Sequence, residues 1–233
     1  MKAVSIWLAL LIFFIAGPPA RADHNYSAQV FFENSLSPGS YFYSSGKVSP
    51  PSGLELTDGK LPVESHIFIS GPNALKLHWE SAPNGGWSAE LKRYEWRNRT
   101  RIFPGAKLFL WLYTEQGIRA VDLPQIALRD AESNFTQPLA MGAYTRDLKP
   151  AGWMRVGIPL ASFKTASVNP FQAQRLSALI LVQGKADAAS HTLLLDDIRI
   201  ENDPPAHQAA PPAPMHVQAK GYERHIDITW SPV

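Results

Sequence analysis

The chain has 233 residues, 45% of them hydrophobic, with 22 Lys and Arg against 20 Asp and Glu and no cysteine. Without a thiol it has no disulfide, thiolate metal site or cysteine nucleophile. The formal net charge of +2 gives no electrostatic ground for binding nucleic acid or an anionic membrane.

Residues 1–22 have the layout of an export signal: Lys2 in a short basic region, the apolar run "WLALLIFFIAG", then Ala20-Arg21-Ala22 as a small-x-small cleavage site. The rival reading is an uncleaved membrane anchor, but the apolar run is nearer a dozen residues than the roughly 20 that span a bilayer. Cleavage after Ala22 removes Lys2 and Arg21 and no acid, leaving a neutral chain with 20 charges of each sign. The expected location is secreted or periplasmic.

From Asp23 to about Asn202 short apolar runs alternate with turn residues. The candidate strands are 27–34 (SAQVFFEN), 66–70 (HIFIS), 74–81 (ALKLHWES), 86–93 (GWSAELKR), 106–114, 125–130, 153–163, 176–184 and 191–201. That series predicts an all-β fold, an antiparallel β-sandwich of the jelly-roll kind, in one domain over 23–203. Period-2 alternation sorts the side chains by face. Leu75, Leu77 and Trp79 lie opposite Lys76, His78 and Glu80; Trp87, Ala89 and Leu91 lie opposite Ser88, Glu90 and Lys92. In "KLFLWLYT" both faces are apolar: Leu108, Leu110 and Leu112 against Phe109, Trp111 and Tyr113.

Flat rings among Glu, Lys, His and Ser side chains suit a saccharide, whose C–H faces stack on aromatics while polar groups reach its hydroxyls. Trp111 and Tyr113 are the candidate platform, Trp87 and Tyr94 further rings, and Glu90 a hydrogen-bonding partner. The competing reading covers these rings with a loop such as "YEWRNRTRIF".

In "HTLLLDDIRIE" the adjacent Asp196 and Asp197 point to opposite faces, so they are not a catalytic pair. If Ile198 and Ile200 face the core, strict alternation turns Asp196 inward as well, where an unpartnered carboxylate is costly. Three partners are open: a hard cation shared with Glu33 at the end of the first strand, backbone amides of an adjoining loop, or an arginine. Beyond this strand, 204–214 is a Pro/Ala-rich linker. "PMHVQAKGYERHIDITWSPV" then reads as two strands about a turn at Lys220-Gly221.

The series "GPNALKLHWESAPNGGWSAEL", "LFLWLYT", "GWMRVGIPLASF" and "HTLLLDDIRIEN" resembles, in order and spacing, the galactose-binding-like jelly-roll carbohydrate-binding modules of secreted bacterial enzymes. Residues 215–233 are similar to the opening of a fibronectin type III domain, about a fifth of the roughly 100 residues such a sandwich needs. The first resemblance implies a structural Ca²⁺ held at the positions matching Glu33 and Asp196. The order of modules implies the front of a larger polysaccharide-degrading enzyme, with a glycoside hydrolase downstream.

The sequence contains no G-x-S-x-G, H-E-x-x-H or phosphate-loop motif. The expected function is therefore noncatalytic binding of a polysaccharide or oligosaccharide beside downstream domains of the same chain. The alternative is a structural or protein-interaction sandwich without glycan affinity.

Overall fold

The computed structural model describes residues 29–93 and 105–202, together with the backbone of strands at 215–221 and 226–231. The expected export segment, the 204–214 linker and Tyr94 lie outside the described residues.

Alternating sequence becomes strand wherever one side chain in two can be buried. The strands in chain order are β1 (Gln29–Phe32), β2 (Ser44–Ser49), β3 (Gly53–Leu54), β4 (Val63–Glu64), β5 (Ala74–Glu80), β6 (Gly86–Lys92), β7 (Lys107–Thr114), β8 (Gln125–Asp130), β9 (Leu139–Ala140), β10 (Gly152–Pro159), β11 (Leu176–Val182) and β12 (Ser190–Glu201). The described residues contain no α-helix, only short 3₁₀ turns.

These strands form two antiparallel sheets. One has seven strands in the order β10-β7-β12-β5-β3, with β1 also on β12 and β4 also on β5; the other runs β2-β6-β11-β8-β9. The all-β antiparallel sandwich expected from the sequence is what the chain adopts. Separately, β13 (Met215–Gly221) and β14 (Ile226–Ser231) pair antiparallel. Lys220 and Gly221 pair with Asp227 and Ile226 in that ladder, so they are strand residues and not the expected turn.

The core lies between the two inner faces. The seven-stranded sheet supplies Leu75, Leu77, Trp79, Leu108, Leu110, Leu112, Leu193 and Leu195; the other supplies Trp87, Leu91, Ile126, Leu128, Leu179 and Leu181. Each fully buried aliphatic side chain of this set stabilises the fold by about 1.5–3 kcal/mol. Consecutive strands part company here, because β5 belongs to one sheet and β6 to the other.

Three local expectations are corrected. Residues 66–70 form a bend rather than a strand, since Asp196 captures the amides of Ile69 and Ser70 that a ladder would use. The polar run "SSGKVS" is a strand, β2, at the edge of its sheet, where a solvated outer face needs no apolar alternation. In β12 the ladder to β7 slips between Asp196 and Arg199, and Asp197 adopts φ +49°. That bulge restarts the alternation: Leu193 and Leu195 face the core before it, Ile198 and Ile200 after it. Asp196 therefore shares the outer face with Leu194 instead of pointing inward.

Candidate functional site

The outer face of the seven-stranded sheet carries a cavity of about 480 Å³ over β5, β12 and the end of β7. Its apolar floor comes from Tyr113 and Leu194, which pack with Ala74, Ile67 and Trp153 in a small cluster apart from the core. The Tyr113 and Trp153 rings sit 5.2 Å apart at 42°. Tyr113 is directly opposite Trp153 on one side and Leu194 on the other. The outward residues of β5 and β12 supply the polar wall, with Lys76 opposite Leu194 and His78 opposite Thr192.

Hydrogen bonds set these groups before any ligand arrives. His78 Nδ1 and Thr192 Oγ1 are 2.8 Å apart. Lys76 Nζ is paired with Glu55 at 2.9 Å. Glu64, at the cavity edge, accepts the His66 backbone N–H at 2.8 Å; that bond outweighs the cost of burial and holds its carboxyl below the ordinary range. The cavity thus combines one aromatic edge and aliphatic floor with an ammonium, an imidazole, hydroxyls and carboxylates.

The sequence-predicted residues are dispersed rather than gathered. Tyr113 lines the cavity, although the residue is only 9% exposed and belongs to a cluster against which Ile67 and Trp153 pack. Trp111 is on the same outer face but outside the cavity, half-buried and flanked in the ladder by Arg155 and Asp196. Trp87 corrects the expectation of a ligand-facing ring: it is buried in the core, 5.7 Å from Trp79, with Nε1 donating to Ser81 Oγ at 3.1 Å. Glu90 faces outward on the other sheet and accepts two bonds of 2.8 Å from the Arg129 guanidinium. Lys76 and His78, placed by alternation on the wet face of β5, are the polar groups that join Tyr113. Thr192 was hidden because the pairing of β12 with β5 is not written in either strand.

Asp196 is fully buried and occupied by donors. Its Oδ2 accepts Ile69 N–H at 2.7 Å and Ser70 N–H at 2.8 Å, and its Oδ1 accepts Asp197 N–H at 2.7 Å. Burial raises its pKa from 3.8 to about 6 against the pull of those three amides. This is the loop-amide partner rather than an oxygen cage, and converging N–H dipoles do not fit a hard cation. Among the described residues no group of three His, Cys, Asp or Glu side chains is placed to hold a metal.

No family model matches the chain. It is 36% identical over 225 residues to the exo β-1,2-glucooligosaccharide sophorohydrolase of Parabacteroides distasonis, covering 97% of this chain and 31% of that protein. The chain thus spans about a third of that relative's length. The crystal structure of a β-1,2-glucanase from the same organism superposes with a TM-score of 0.74 at 36% identity, over 88% of this chain and 29% of that one. A family 30 carbohydrate-binding module of a Clostridium thermocellum cellulosomal cellulase gives a TM-score of 0.55 at 19% identity, over 74% of this chain and 97% of that one. The β-sandwich is accordingly a fold shared with carbohydrate-binding modules.

Proposed function

We propose that this chain is a noncatalytic saccharide-binding module of a larger exported polysaccharide-degrading protein, and that its ligand is a gluco-oligosaccharide with β-1,2 linkages. The observation that carries the reading is the outer-face cavity, in which the Tyr113 edge and Leu194 meet Lys76, His78 and Thr192. Glucose presents the same mixture, apolar C–H faces and a rim of hydroxyls. The linkage is taken from the β-1,2-glucan chemistry in the names of the 36%-identical sophorohydrolase and of the glucanase crystal structure from the same organism. Export through residues 1–22, the galactose-binding-like assignment and the fibronectin III reading of 215–233 belong to the same proposal; the antiparallel pairing of β13 with β14 supports the last. A structural Ca²⁺ on Glu33 and Asp196 belongs to the proposal only if Asp196 exchanges the amides of Ile69 and Ser70 for the ion. A melting temperature raised by Ca²⁺ and lowered by chelator would support that exchange, and one indifferent to both would remove the ion.

The test is calorimetric titration of the chain with β-1,2-gluco-oligosaccharides. Wild type binds, and Lys76→Ala and His78→Ala each weaken binding about fivefold, the loss of about one hydrogen bond of roughly 1 kcal/mol. A second reading, a spacer whose outer face meets another domain, is favoured by the burial of Tyr113. It predicts no heat with any glucan and no effect of either substitution.

A further inference from the structure

A second cavity, of about 330 Å³, opens along the segment between β1 and β2 and shares no lining residue with the first. Its lining includes Glu33, Asn34, Ser37, Tyr41, Phe42 and Tyr43. Phe42 is 67% exposed and Leu36 is 91% exposed at the same cavity. A large ring in water is unfavourable by itself, so what fixes it there matters.

The segment is held at several points. Tyr41 is buried, donates its hydroxyl to Phe31 O at 2.6 Å and meets Phe32 edge-on at 4.9 Å. Ser35 N–H donates to Asn73 Oδ1 at 2.8 Å, and Asn73 Nδ2 donates back to Ser35 O at 2.9 Å. Tyr41 N–H donates to Leu61 O at 2.9 Å. The next ring, Phe42, stands outside this frame, braced edge-on by Tyr43 at 5.1 Å, with the Lys60 ammonium 5.6 Å from its centroid. The outcome is a presented ring on a preorganised backbone, beside a carboxylate, an amide, a hydroxyl and an ammonium.

We infer that this cavity is a second saccharide site, in which one pyranose stacks on Phe42 while its hydroxyls meet the polar lining at Glu33, Asn34 and Ser37. The saccharide class rests on the function proposed above; the place does not, since the two cavities are separate. Preorganisation favours binding because little loop entropy remains to be lost. Two sites on one rigid sandwich engage a long glucan together, so the second contact forms at high effective concentration.

The experiment titrates wild type, Phe42→Ala, His78→Ala and the double variant with short β-1,2-gluco-oligosaccharides, and measures retention of each on immobilised β-1,2-glucan. Two sites per wild-type chain are expected. Phe42→Ala should weaken one about tenfold, equivalent to 1.4 kcal/mol, and leave the His78-dependent site and the melting temperature unchanged. The double variant should lose retention on the polymer by more than either single variant. One site per chain, indifferent to Phe42→Ala but lost on His78→Ala, overturns this inference and leaves the proposed function standing. Binding lost on Phe42→Ala but indifferent to His78→Ala leaves this site and removes the first. Absence of all binding overturns both. Sugar-independent self-association abolished by Phe42→Ala would make the patch a protein interface and likewise end the inference.

Discussion

Asp196→Asn turns the buried carboxylate of β12 into a measurement. Burial lifts its pKa from 3.8 to about 6, the like charge of Asp197 adding to the rise and the amides of Ser70, Ile69 and Asp197 opposing it. A carboxyl whose pKa is higher folded than unfolded binds more protons in the native state between those two values, so its contribution is complete below about 3.8 and is lost as pH rises through about 6. The shift of about two pH units corresponds to about 3 kcal/mol. Asparagine carries no titrating proton and lacks this slope. Urea unfolding followed by tryptophan fluorescence at pH 4, 5, 6 and 7 should show wild-type stability falling relative to the variant by about 2 kcal/mol across that range, most of the full difference. The lowered carboxyls of Glu64, through the His66 amide, and Asp122, through its Arg119 partner, have the opposite sign, lose their contribution at the acid end, and cancel in the difference. Parallel curves for the two proteins would refute the reasoning, because they would mean that the three amides fully offset burial and leave the pKa unshifted.

Trp79→Ala should cost about 3–5 kcal/mol in chemical denaturation, because its ring is buried and packs against both Trp87 and His191. Gly142→Ala should lower the melting temperature by several degrees, since a Cβ there would sit 1.9 Å from the Ala120 carbonyl oxygen. Arg129→Ala removes a two-bond partner from Glu90 on the five-stranded sheet and should cost about 1–2 kcal/mol. The same variant should leave calorimetric affinity for the glucan unchanged, because neither Arg129 nor Glu90 lines either cavity.

Alternation made much of this molecule readable before its structure. "ALKLHWE" correctly separates Leu75, Leu77 and Trp79, which are buried, from Lys76 and His78, which reach the cavity wall. What alternation cannot carry is membership: it assigns a face within a strand but not the sheet to which the strand belongs. Trp87 and Glu90 were therefore grouped with Trp111 and Tyr113, although β6 and β7 lie in different sheets. Edge strand β2 escaped notice because its outer positions are solvated and its sequence is nearly all polar. The bend at 66–70 looked like a strand because His-Ile-Phe-Ile-Ser is apolar; its fate depends on a carboxylate more than 120 residues away. Within the site, Tyr113 was found by its strand, and Thr192 only by the pairing of distant segments.

The interruption in β12 has a consequence for how the sheet tolerates change. On one edge of that strand Ser190–Leu195 pairs with β5 while Ile198–Ile200 pairs with β1, so the two neighbours lie end to end with Asp196 and Asp197 at the seam. The halves of β12 are out of phase by one residue. Were Asp197 kept but the bulge ironed into a regular ladder, Ile198 and Ile200 would turn to solvent and Arg199 and Glu201 into the sandwich interior, whereas deleting Asp197 would leave an unbroken alternation with all four apolar residues still facing the core. The bulge thus absorbs a single supernumerary residue at the place where the two partners meet, and the same side of the sheet stays dry along its whole length.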